Sequence, residues 1–128
     1  MIDHTGITVS SIEKSKAFYA KVLGALGYAL CKDGPEVVSF GVQEGHGKST
    51  DPGGDFWLSE GTPMAPRPHF AFNADSRAAV DAFFAAGIAA DGTISGAPGL
   101  RPHYHPHYYA AFVLDPDGYN IEAVCHTG

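Results

Sequence analysis

The 128-residue chain predicts an α+β fold, two βαβββ modules joined into one domain. Three observations carry that expectation. A strand pattern followed by an amphipathic helix pattern occurs twice along the chain. His4 precedes Ser10 by six residues and the aromatic pair Phe18–Tyr19 by 14 and 15, and His69 stands in the same relation to Asp75 and Phe83–Phe84, an offset of 65 throughout. The "DPGG" at Asp51–Gly54 and the "DPDG" at Asp115–Gly118 repeat at an offset of 64, each a turn signal feeding a strand.

The elements follow in order. "IDHTGITV", Ile2 to Val9, is rich in β-branched residues and reads as a strand. Ser10 and Glu13 have capping-box spacing, which places a helix after it. Phe18, Val22 and Leu26 fall four apart, Tyr19 and Leu23 widen the apolar stripe, and Gly27 is the expected stop. "YALCK", "EVVSFGV" and "DFWLS" then read as strands, with a glycine-rich loop from Gly45 to Gly54 between the last two. Module one ends near residue 61, a proline-bearing linker covers about 62–67, and module two runs from 68 to 128. In it "PHFAFNAD" is a strand, and Asp75 is the expected helix cap. Val80, Phe83 and Phe84 form the stripe that ends at Gly87. The last strands are expected near "AADGTIS", "YYAAFVL" and "YNIEAVC".

Composition excludes several function classes. Hydrophobic residues make up 45% and charged residues 17%, the balance of a globular domain rather than a disordered chain. A net charge of −6 with no cluster of Lys and Arg leaves nothing to neutralise phosphates, so no nucleic-acid surface is expected. No apolar run has the length of a membrane span, and "MIDHTG" lacks the features of a signal peptide. Cys31 and Cys125 form neither a disulfide framework nor a CxxC motif, and a reduced cytoplasm is the expected setting.

Strand alternation places side chains on faces. Thr5, Ile7 and Val9 form the set that meets a helix, leaving His4, Gly6 and Thr8 on the opposite, open face. By the same rule His69, Ala71 and Asn73 oppose Phe70 and Phe72, and Asn120, Glu122 and Val124 oppose Tyr119, Ile121, Ala123 and Cys125. His4, His69 and Glu122 thereby fall on one cleft surface. Two imidazoles and a carboxylate suit Fe, Mn, Ni, Co or Zn as a divalent metal. A carboxylate within "YNIEAV" needs a cation or hydrogen-bond partner if it is buried.

"DHTGITVSSIEKSKAFYAKVLG" and "AAFVLDPDGYNIEAV" resemble the opening and closing signatures of the vicinal oxygen chelate superfamily, whose members include glyoxalase I, extradiol dioxygenases and bleomycin-resistance proteins. The resemblance covers essentially the whole chain. It implies paired βαβββ modules around one divalent metal, with His4, His69 and Glu122 at three of four ligand positions. The fourth falls on Leu58 under the "DPxG" offset or on Trp57 under the histidine offset, and neither can bind a metal. Asp55 and Glu60 become alternatives only if the strand shifts register. The implied activity is a lyase or isomerase of the glyoxalase type, or ring cleavage by a dioxygenase, on a small oxygen-chelating substrate. Where extradiol dioxygenases carry Tyr, this chain carries Phe112. The alternative is metal-free binding of a small molecule or drug, as in bleomycin-resistance proteins.

The histidine-rich "RPHYHPHYY" is a loop, because Pro102 and Pro106 oppose a regular strand. It lies beside the cleft mouth. His105 is the candidate general acid or base, with Glu122 the other catalytic candidate. Arg101 is placed to anchor a substrate carboxylate or phosphate. Tyr104 and Tyr109, with Phe112 and Trp57, are the remaining substrate-binding candidates, and Tyr108 is either a pocket wall or ordinary packing. Exposed strand edges and this aromatic loop predict a homodimer.

Overall fold

A computed structural model describes residues 1–45 and 47–128. The elements are β1 (Thr5–Val9), α1 (Ile12–Gly24), β2 (Tyr28–Asp33), β3 (Val37–Val42), β4 (Phe56–Glu60), β5 (Phe70–Asn73), α2 (Arg77–Ala89), β6 (Thr93–Leu100), β7 (Tyr109–Leu114) and β8 (Asn120–Cys125). They form two four-stranded sheets ordered β1-β4-β3-β2 and β5-β8-β7-β6. In each sheet the first strand runs parallel to the last, and the remaining pairs are antiparallel. The glycine-rich loop expected at Gly45–Gly54 includes His46, which lies outside the described residues.

The helix-facing sides of both sheets share one core. Ile7, Val9, Phe40 and Leu58 from the first sheet are buried with Val113, Ile121 and Ala123 from the second, and α1 packs against α2. Phe56, 1% exposed, sits at the junction. Its ring lies 5.3 Å from Tyr19, 5.6 Å from Phe70 and 5.1 Å from Phe72. Because the modules meet through their helix sides, the opposite faces of both sheets stay open.

The "DPDG" turn locks the modules together. Asp115, 5% exposed, accepts a 2.6 Å bond from the Tyr19 hydroxyl, while its other oxygen accepts from the backbone N–H groups of Asp117 and Tyr119. Tyr119 donates its hydroxyl to the Thr8 carbonyl. Burial, then the Asp115 carboxylate, raises the Tyr19 hydroxyl pKa well above its ordinary value, so it remains a donor. Tyr19→Phe strands one buried carboxylate oxygen, and a loss of about 1–3 kcal/mol is expected in urea denaturation. A change within error would show that water replaces the bond.

Several element boundaries differ from the sequence-based expectation. Ser11, not Ser10, caps α1, its side chain accepting from the Lys14 N–H. Ser10 is drawn instead to Asp117, to which it gives both its hydroxyl and its N–H. Ser76, not Asp75, caps α2 through the Ala79 N–H. Gly87 does not stop that helix. It is buried within it, where a Cβ would meet the Val113 side chain at 3.0 Å, so close packing explains the glycine. Since α2 continues to Ala89, the following strand begins only at Thr93. Gly27 does lie in the turn after α1, with a φ of 89° that favours glycine.

Candidate metal and substrate site

The open face of the second sheet gathers the polar groups. Glu122 on β8 lies opposite Ala71 of β5 and Phe112 of β7, and it is only 3% exposed. His69 directly precedes β5 and points to the same face. Its Nδ1 lies 2.7 Å from the Asn120 carbonyl oxygen, and its Nε2 lies 2.9 Å from Glu122 Oε1. A carbonyl only accepts, so Nδ1 carries a hydrogen. Nε2 therefore faces the carboxylate either with a second proton or with a lone pair that needs a cation beside it. The Tyr108 hydroxyl donates to Glu122 Oε2 at 2.5 Å. Burial, then Glu122, pushes that hydroxyl's pKa up to about 12. Phe112 lies beside His69, ring centroids 6.0 Å apart and planes 28° apart.

The loop between β6 and β7 closes over this group. His105 Nδ1 accepts from the His107 N–H at 3.1 Å, so its ring hydrogen sits on Nε2, which donates to His126 Nδ1 at 2.8 Å. The two rings are 26° from parallel with centroids 5.1 Å apart, which with that nitrogen separation means edge-to-edge alignment rather than overlap. Tyr108 packs against both rings and against Tyr104. Arg101 donates to the carbonyls of Ala97 and Gly99 at 2.8 Å each and lies over the Phe112 ring at 5.4 Å.

Three expectations need correcting against this geometry. Both His105 nitrogens are engaged within the chain, so in this conformation His105 clasps the loop rather than offering a base. The terminal nitrogens of Arg101 each donate to one of the chain's own carbonyls, which holds the guanidinium against its loop rather than extended as a free fork for a substrate carboxylate or phosphate. Tyr109 is turned to the helix face, where its hydroxyl reaches Asp81 of α2 at 2.7 Å and Arg77 covers its ring. Alternation is the cause: Ala110 and Phe112 share the face of Glu122, and Tyr109 does not. The same alternation carries Tyr108, four residues before Phe112, and His126, four after Glu122, onto the open face. That period of two is the signal by which both were findable.

The first sheet holds a degenerate copy of this arrangement. Gly6 pairs with Trp57 as Ala71 pairs with Glu122, so Trp57, not Leu58, stands at the equivalent of Glu122. Leu58 is fully buried in the core. No register shift brings Asp55 or Glu60 to that position: Asp55 accepts from Ser49, and Glu60 accepts from the Ile12 N–H at the start of α1. His4 is exposed and paired with Asp3 at 2.7 Å. It borders, with His69, Asp55 and Phe56, a cleft of about 570 Å³. Among the described residues, no three His, Cys, Asp or Glu side chains of one chain lie close enough to share a metal, so His69 and Glu122 are brought together and His4 is not.

A family model, that of the glyoxalase/bleomycin resistance protein/dioxygenase superfamily, matches residues 1–123. The chain belongs to that superfamily. Comparison with curated proteins returned no match. Among solved structures, this superfamily chain is similar to a glyoxalase/bleomycin resistance protein from Albidiferax ferrireducens T118, with 29% identity over 96% of each chain and a TM-score of 0.76. Two further likenesses show the shared fold alone. A glyoxalase/bleomycin resistance protein/dioxygenase family enzyme from Burkholderia phytofirmans PsJN is 20% identical over 98% of each chain, with a TM-score of 0.71. Lactoylglutathione lyase from Agrobacterium tumefaciens is 20% identical, over 98% of this chain and 92% of that one, with a TM-score of 0.65.

The second-sheet donors fit a divalent metal. Nδ1–H held by a carbonyl with Nε2 turned toward a carboxylate is the orientation a ligating histidine takes. Their 2.9 Å separation also matches two neighbouring ligands at about 2.1 Å from one ion.

Proposed function

We propose that the chain is a divalent-metal-dependent enzyme of its superfamily, acting in the cytoplasm on a small oxygen-chelating substrate. The observation that carries this reading is His69 Nε2 facing the buried Glu122 carboxylate. His69 and Glu122 would hold the metal, with His4 of a second copy as the third ligand. The ion would be Fe, Mn, Ni, Co or Zn, and when bound it would act as a Lewis acid toward the substrate's oxygens. The protein's part is positional. Asn120 orients His69, Phe112 walls the site, and the loop with Tyr104 and His105 shields it from water.

This assignment requires a homodimer, which the free strand edges would allow. β1 and β5 are both outer strands with unpaired backbone groups, and each lies beside one of the histidines. Pairing two copies through these edges would set the open face of one chain's first sheet, with His4 and Trp57, against the partner's second. Trp57 in place of a fourth ligand leaves more of the coordination sphere to substrate and favours ring-cleaving dioxygenase chemistry over a four-ligand lyase. In a complementation test, His4→Ala and Glu122→Gln chains should each bind metal poorly, while their co-refolded mixture regains part of the capacity. A mixture no better than its components would place the site within one chain or remove it.

A second reading is metal-free binding of a small molecule. It is favoured by one observation: both Glu122 oxygens already have partners within the chain, provided His69 is doubly protonated. Titration of chelator-stripped protein with Fe(II), Mn, Ni, Co and Zn separates the two, since a metal-free binder would take up none.

A further inference from the structure

We infer that Tyr108 is a positioning residue that restricts Glu122 to a single metal-facing oxygen. The inference rests on the metal reading above and deepens it. Glu122 has two oxygens in distinct surroundings: Oε1 lies beside His69 Nε2, and Oε2 lies under the Tyr108 hydroxyl. With the carboxylate buried, neither oxygen has water in abundance to exchange with. Tyr108 is held at several points. Its carbonyl accepts from the Arg101 N–H at 2.7 Å, and its N–H donates to the His105 carbonyl. Its ring is wedged among Tyr104, His105 and His126. The His105–His126 bond ties this loop to the chain just beyond β8, the strand that carries Glu122. Donor and acceptor are thus fixed from both ends, and the carboxylate cannot rotate to offer Oε2 without losing a charge-assisted bond.

The consequence is an open site. A carboxylate using one oxygen occupies one position around an ion, whereas one using both occupies two. Positions left free are what a substrate with two oxygens requires.

Chelator-stripped full chain is titrated with Co(II), and visible absorption and affinity are read for wild type, Tyr108→Phe, His126→Ala and Tyr109→Phe. Tyr108→Phe keeps the ring packing and releases Oε2. Its coordination number should rise, seen as weaker visible bands, with Co(II) bound up to roughly tenfold more tightly. His126→Ala loosens the clasp and should shift the spectrum in the same direction by less. Tyr109→Phe, on the helix face, should overlay wild type. A Tyr108→Phe spectrum and affinity identical to wild type would overturn the inference while leaving the metal reading intact. If Tyr108→Phe loses its cooperative melt, an unchanged His126→Ala spectrum overturns it instead. Wild type that binds no Co(II) removes both readings together.

Discussion

Glu122→Gln is expected to weaken divalent-metal binding by well over tenfold and to abolish turnover. Changes to groups that only orient ligands typically cost about 10–100-fold in affinity, and Glu122 would be a ligand itself. The charge argument points the same way. A buried carboxylate flanked by Ile121 and Ala123 on the core side is the site's local anion, and an amide withdraws it. The fold should survive, because Gln keeps the side chain's size and its amide can still hydrogen-bond to the Tyr108 oxygen. Calorimetric titration of stripped wild type and mutant measures the difference. Equal binding by the two proteins would move the metal away from Glu122 and leave the metal-free reading in its place.

Phe56→Ala should cost about 3–5 kcal/mol of folding stability, a large share of the roughly 5–15 kcal/mol available to a domain. Phe56 contacts rings from both modules, Tyr19 on one side and Phe70 and Phe72 on the other. Truncation opens a cavity at the one place where neither module can relax without the other. Urea denaturation gives the value from the midpoint and slope. A loss below about 1 kcal/mol would mean that the inter-module core collapses around the gap. Trp57, its neighbour on the open face, is half-buried, and the same argument assigns it a smaller cost.

Much of the fold is legible in the chain because it is local. Period-two and period-3.6 patterns, turn residues and the 65-residue offset place two strand–helix–strand modules without any tertiary information. The first helix start is displaced by one residue because a tertiary bond competes for the expected capping side chain: Ser10 is taken by Asp117, over 100 residues away. The side of the strand that faces His69 and Glu122 also follows from alternation, and so does the face of Tyr108, had the period been extended from Phe112 into the loop.

Three matters were decided only by the folded chain. Whether Trp57 or Leu58 corresponds to Glu122 turns on one residue of register, and two anchors with offsets of 64 and 65 cannot settle it; the pairing of Gly6 with Trp57 does. The partners of the loop side chains depend on how a proline-broken segment folds back, which places His105 on His126 and Tyr108 on Glu122. The distance between His4 and Glu122 depends on how the modules dock, since strand parity assigns a face within a sheet and carries no information about the angle between two sheets. Apolar burial chose the helix sides as the meeting surface, because that arrangement covers Phe56, Phe72 and Val113 together, and it left the two open faces for something else to complete.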